Sequence, residues 1–261
     1  MDLRIYPIKT GYICLDKGLM VTPGADTGTK LLVPAICYLI VYGNLKILID
    51  TGMPDTERAG WHFPGSRQKE EERIDRQLAS LSTDPDDISS VIFTHLHWDH
   101  CSNLHFFKKA SLYVQRRELA FALNPHPLNY KAYEAEAVGM TPPFANSKFT
   151  VWDGPFKLHG FIDIFPTPGH SIGHQSLSVG AGDDKWIICG DAIYNENTFN
   201  PKDHLPYQAT GSGFDLWEQY DSIGTILNKA EGKKERLLYP HSEISLRREY
   251  YQINQRFLNP L

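Results

Sequence analysis

Apolar positions in this chain fall in short runs set between amphipathic stretches. Residues 36–41 and 46–49 read as two strands joined by a turn at Gly43-Asn44. Residues 70–81 read as a helix with Ile74, Leu78 and Leu81 on one face, stopped by Thr83-Asp84-Pro85-Asp86-Asp87. Residues 91–93 make a short buried strand. Residues 116–123 and 129–138 carry helical patterns, and Pro125 and Pro127 break the chain between them. The second half repeats the theme, with strands predicted over 161–165, 175–179, 186–189 and 237–239. Residues 214–230 form a long helix pattern through Leu216, Tyr220, Ile223 and Leu227, and residues 244–257 are predicted to close the chain as a helix. No repeat or linker divides this pattern, which predicts one domain over residues 1–261.

The residues that follow the buried strands share a character. Thr94 and His95 come after Phe93, and Thr167-Pro168-Gly169-His170 after Phe165. Gly190-Asp191 come after Cys189, and Pro240-His241 after Tyr239. Ligand sites of open sheets lie beyond strand ends. If these four ends lie side by side, their polar groups converge on one rim.

Composition narrows the classes. Hydrophobic residues at 41% and charged residues at 22% suit a soluble globular chain, one long enough to bury a core without disulfides. The net charge of −5 argues against a nucleic-acid partner, and the basic pairs Lys108-Lys109, Lys233-Lys234 and Arg247-Arg248 read as solvated surface. Cys14, Cys37, Cys101 and Cys189 form no C-x-x-C pair, so they are expected to be reduced thiols in a cytoplasmic protein. Residues 1–15 alternate polar and apolar without the apolar block of a signal peptide, and no apolar run approaches a membrane span.

The sharpest feature is His95-Leu96-His97-Trp98-Asp99-His100. In an extended loop residues two apart point the same way, so His95 and His97 can grip one ion. A turn at Trp98 directs Asp99 and His100 to a neighbouring position. Imidazole with carboxylate suits zinc and similar first-row ions.

This string resembles the signature of the metallo-β-lactamase superfamily. Asp50-Thr51-Gly52, Thr167-Pro168-Gly169-His170, Gly190-Asp191 and His241 resemble it too, in the family's order. The resemblance implies an α/β fold, an αββα four-layer sandwich. It also implies two metal sites: His95, His97 and His170 at one, Asp99, His100 and His241 at the other, with Asp191 bridging. Two zinc ions per chain are the implied cofactor, with manganese, cobalt or iron as alternatives. His62, His105, His126 and His159 lack ligand spacing and are expected to be structural or on the surface. His174, four residues after His170, could support a ligand from behind but is expected to be structural, and Cys101, directly after His100, is expected to pack rather than bind.

Within the superfamily, His97 stands where the oxygen-reducing flavoproteins typically carry glutamate. Asp191 is a bridging acid that the antibiotic-hydrolysing members generally lack. The appended domain or basic surface of the nucleases is not evident. Tyr194 after Gly190-Asp191 resembles the N-acyl homoserine lactone lactonases, as do Leu32-Val33-Pro34, Tyr38-Leu39-Ile40, Leu48-Ile49-Asp50 and Val114-Gln115-Arg116. Ser242 replaces that branch's usual aspartate, and Cys101-Ser102-Asn103 its small residues and glycines. The resemblance implies hydrolysis of a lactone ring, a quorum-quenching activity on a small-molecule substrate, by a water-derived nucleophile shared between the ions. Tyr194 would stabilise the oxyanion and Asp99 would move the proton. Leu19, Met20, Val21 and Leu31, with Trp61, Phe63 and Phe144, are candidates either to wall an acyl pocket or to cover the core. Alternatives on the same site are another lactone, such as a vitamin-derived ring, or a thioester of the glyoxalase type. A non-catalytic metal-binding protein is the alternative from another class. Monomer and homodimer are both compatible with the sequence.

Overall fold

The computed structural model describes residues 2–201 and 204–254. Its first sheet contains β1 (Leu3–Asp16), β2 (Lys30–Tyr42), β3 (Leu45–Ile49), β4 (Ser90–Ile92), β5 (Ser111–Gln115), β6 (Phe149–Trp152) and β12 (Tyr251–Ile253). Its second contains β7 (Phe156–Leu158), β8 (Ile162–Pro166), β9 (Gln175–Ala181), β10 (Asp184–Ile188) and β11 (Leu237–Leu238). The helices are α1 (Lys17–Met20), α2 (Thr56–His62), α3 (Ile74–Ser80), α4 (Trp98–Cys101), α5 (Arg116–Leu123) and α6 (Leu216–Lys229). Strand order is β12-β1-β2-β3-β4-β5-β6 in one sheet and β11-β10-β9-β8-β7 in the other.

The alternation of side chains explains why the two sheets stack. Ile36, Tyr38 and Ile40 of β2 share a core cluster with Ile162 and Ile164 of β8 and Leu177 and Val179 of β9. Cys37 and Leu39, one residue out of phase, pack instead with Ile74 and Leu78 of α3 and Ala122 of α5. On the second sheet, Ile188 joins the inter-sheet core, while Ile187 packs with Ile223 and Ile226 of α6. Strands covered on both faces need apolar residues at every position, so they read as runs. Each such buried side chain contributes roughly 1.5–3 kcal/mol. The result is the αββα sandwich that the resemblance implies.

Several elements differ from the sequence-based expectation. The alternating N-terminus is the longest strand, and β2 starts at Lys30, before residue 36. Residues 70–81 split at Arg73, whose extended backbone separates a 3-10 turn at Glu70–Glu72 from α3. Residues 129–138 are not helical. They form 3-10 turns at Pro127–Asn129 and Glu136–Val138 around Glu134, which has φ +50°. Tertiary bonds hold that loop: Trp98 N–H donates to the Ala132 carbonyl, and the Glu134 carboxylate takes both Arg58 and His62. The expected closing helix is instead a turn at Glu243–Leu246 followed by β12, which pairs antiparallel with Leu3–Ile5. Buried Tyr251 and Ile253 flank exposed Gln252, so a period of two prevails there. Residues 255–257 of that expectation lie outside the described residues.

Candidate metal centre

Four strand ends meet at one edge of the sandwich. His95 follows β4, His170 follows β8, Asp191 follows β10 and His241 follows β11. Helix α4 begins directly after His97, and this single turn carries Asp99 and His100 past the first two histidines. Two groups of donors result: His95, His97 and His170, and Asp99, His100, Asp191 and His241, each with ligand atoms within 4.8 Å of one another.

Asp191 faces both groups. Its Oδ2 lies 3.3 Å from His170 Nε2 and 4.0 Å from His95 Nε2. Its Oδ1 lies 3.0 Å from His100 Nε2 and 3.3 Å from His241 Nε2. Asp99 Oδ2 is 3.6 Å from His241 Nε2 and 3.7 Å from His100 Nε2. His97 Nδ1 and His170 Nε2 approach to 2.9 Å.

Bonds on the far side of each ring set which nitrogen is bare. Thr94 Oγ1 donates to Asp50 Oδ2 and therefore accepts from His95 Nδ1 at 3.1 Å, leaving Nε2 free. His100 Nδ1 donates to Asp50 Oδ2 at 2.8 Å, and His241 Nδ1 to the Pro34 carbonyl at 2.9 Å. Both therefore present Nε2 inward. His95 Nε2, His100 Nε2 and Asp191 Oδ1, which face the site, are buried without a hydrogen-bond partner, while His97 and His170 turn Nδ1 and Nε2 to it. A buried orphan costs about 1–3 kcal/mol, so convergent bare donors fit divalent cations far better than an apolar filling.

The electrostatics divide the two groups. Burial holds the His95 and His97 imidazoles well below their ordinary range and lowers that of His170 to about 4. They are neutral, the form that binds metal. Burial also acts against the charged form of His100 and His241, but the carboxylates of Asp191 and Asp99 outweigh it and raise both. Burial pushes the Asp191 carboxyl up, yet His100, His241 and His170 hold it well below the usual range. Burial, reinforced by Asp191, raises that of Asp99.

Tyr194 spans both groups, its ring 5.5 Å from that of His170 and 5.1 Å from that of His241. Its hydroxyl bonds Ser212. A cavity of about 110 Å³ opens there, lined by polar Asp99, Asp191, Tyr194 and Ser212 and by apolar Ile13, Leu15, Met20, Phe63 and Trp98. Larger hollows exist, such as one of about 440 Å³ beside Asp55, Lys69 and His105, but neither donor group lies in it.

Of the pocket candidates, Met20 and Phe63 line this cavity. Phe144 packs in the core, and Trp61 lies outside under Lys131. His174 Nδ1 donates to the Thr167 carbonyl and Nε2 accepts the Asp191 backbone N–H at 2.9 Å, so neither nitrogen is free. Gly190, at φ +54°, makes room for it, since a Cβ there would meet His174 Nε2 at 2.5 Å. His62 stacks on Trp98 with ring centroids 4.1 Å apart. Cys101 is buried against the Leu96 carbonyl. Ser242 donates to Glu196 and caps Ile244. In the sequence Asp50 is marked by the Asp-Thr-Gly after β3 and Thr94 by its place after a buried strand, whereas Ser212 and Glu118 carry no local signal.

Comparison with known proteins places this geometry in context. A family model described as the metallo-beta-lactamase superfamily matches residues 32–241. The chain is 29% identical over 250 residues to the N-acyl homoserine lactonase AiiA of Bacillus thuringiensis subsp. kurstaki, covering 91% of this chain and 92% of that one. It is 26% identical over 270 residues to the N-acyl homoserine lactonase AiiB of Rhizobium rhizogenes, covering 92% and 94%. Among solved structures it resembles an N-acyl homoserine lactone hydrolase with the product N-hexanoyl-L-homoserine at its catalytic metal centre. That match has TM-score 0.74 and 26% identity, and covers 91% and 92% of the two chains.

Proposed function

The chain belongs to the metallo-β-lactamase superfamily, and from that premise we propose that it is a metal-dependent hydrolase opening the lactone ring of N-acyl homoserine lactones. One observation carries the substrate class. The lactonase relatives align over nine-tenths of the chain, and in support the Tyr194 ring packs beside both donor groups, against His170 and His241.

In this reading His95, His97 and His170 would hold one ion and Asp99, His100 and His241 the other, with Asp191 between the two groups. Two bound zinc ions, or manganese, cobalt or iron in their place, supply Lewis acidity and lower the pKa of water toward neutrality. The protein's own groups do the rest. Asp191 keeps the two positions in register through its separate oxygens. The Tyr194 hydroxyl, steadied by Ser212, donates to the oxygen of the carbonyl as charge develops on it. Water adds to the lactone carbonyl carbon, Asp99 takes its proton and passes it to the ring oxygen as the ring C–O bond breaks, and the product is an N-acyl homoserine. Ile13, Leu15, Met20, Phe63 and Trp98 receive the start of the acyl chain and exclude water.

The remaining features fit one domain acting on a small molecule as monomer or homodimer. No helix among the described residues is long and apolar enough to cross a membrane, and the four cysteines are free, as expected of a cytoplasmic enzyme. The test is a substrate panel. Zinc-loaded protein is given N-hexanoyl homoserine lactone, an unrelated lactone and a hexanoyl thioester, and the released acid is followed with a pH indicator. Preference for the homoserine lactone supports the proposal. Rapid thioester turnover with the lactones untouched would replace it with a glyoxalase-type activity.

A further inference from the structure

Outside the ligand set, one fully buried carboxylate gathers four donors, three of them from the two histidine loops. Glu118 lies in the first turn of α5 with no exposed surface. Its Oε1 accepts from the Leu96 backbone N–H at 3.0 Å and the Tyr133 hydroxyl at 2.9 Å. Its Oε2 accepts from the Ser171 hydroxyl at 2.7 Å and the Gly173 backbone N–H at 3.0 Å. Leu96 stands between His95 and His97, Ser171 follows His170, and the Tyr133 ring packs on that of His97 at 4.7 Å. Gly173 lets the loop press on the helix, since a Cβ there would meet the Glu118 nitrogen at 2.2 Å. In the other trio, His100 is held by Asp50 and His241 by the Pro34 carbonyl.

We propose that Glu118 is the positioning residue of the three-histidine site: it sets the spacing of His95, His97 and His170 and so governs the affinity of that site alone. The inference rests on the dinuclear reading above. A carboxylate offers two acceptor oxygens to four donors, and such charge-assisted bonds are the strong ones. In Glu118→Gln one oxygen becomes an NH₂ group. The hydroxyl facing it can turn to accept, but the backbone N–H of Leu96 or Gly173 cannot. One loop or the other therefore loses its anchor. Partners of this kind govern metal affinity by about 10–100-fold.

The test counts zinc rather than turnover. Full-length zinc-loaded protein is titrated with a chromogenic chelator, and His170→Ala identifies the release step of the three-histidine site by removing it. In Glu118→Gln that step moves to about 10–100-fold lower chelator, while the other stays at its wild-type position. Ser171→Ala, which removes one donor and leaves the charge, shifts the same step by less and carries the test if the glutamine variant does not fold. Unchanged release in the folded variants, or equal weakening of both steps, overturns the proposal. Wild-type protein that holds no zinc refutes the metal reading itself, a result distinct from either.

Discussion

Substituting Asp50 with asparagine isolates one charge at the back of the metal centre. Asp50 has φ +60°, a conformation that asparagine tolerates better than most residues, so the backbone need not move. Its Oδ1 accepts from Thr94 N–H at 2.7 Å, and its Oδ2 from the Thr94 hydroxyl and His100 Nδ1, each at 2.8 Å. In the metal-loaded protein His100 Nε2 must be bare, so Nδ1 must carry the proton and donate it. An amide has one oxygen, so either the Thr94 N–H or the His100 Nδ1–H then lacks an acceptor. The metal-free protein escapes this by turning the amide and moving the His100 proton to Nε2, so the penalty falls on the loaded form. A buried orphan costs about 1–3 kcal/mol, which weakens zinc binding by roughly 5–150-fold. Chelator competition measures the affinity, and a thermal melt of the metal-free variant checks that the fold is kept. Wild-type zinc affinity, with or without a lowered melting temperature, would refute the reasoning.

Other variants probe other parts of the site. Tyr194→Phe should keep its zinc and lose about 10²–10³ in kcat, the size of one oxyanion donor; full activity would remove the tyrosine from the mechanism. Asp191→Asn should bind both ions weakly and lose activity, and an active, fully metallated variant would contradict the bridge. Burial pushes the Glu134 carboxyl up, but bonds to His62 and Arg58 outweigh it and hold it below the usual range. A depressed folded-state pKa gives stability that is complete above the unfolded value, about 4.3, and is lost as pH falls through the folded value. Glu134→Gln should therefore be less stable than wild type by about 1–3 kcal/mol at neutral pH, with the gap closing in acid. Urea unfolding at the two pH values measures it, and a gap independent of pH would contradict the assignment.

The parts of this site legible in the sequence are those written locally. His95 to His100 form one short string, and each outlying donor follows its strand within a few residues. Periodicity located most strands, because a strand buried on both faces must be apolar throughout. What escaped is set by distant partners. Ser212 meets Tyr194 across 18 positions, and Glu118 reads as an ordinary polar helix residue until Leu96, Tyr133, Ser171 and Gly173 fold around it. The loop around Glu134 looks helical alone and is unwound by its bonds to Arg58 and His62. Strand β12 is hidden from local periodicity because its pairing with β1 joins the two ends of the described chain.

The proposed function joins a metal site with two donor groups, Asp191 between them, to hydrolysis of a homoserine lactone. Zinc titration of the metal-free protein, with bound metal and N-hexanoyl homoserine lactone hydrolysis followed in the same samples, tests it most directly. The expected result is uptake of two ions per chain, with turnover rising steeply as the second binds and N-hexanoyl homoserine as product. Full turnover with a single ion, or a fully loaded protein that leaves the lactone intact, would contradict it.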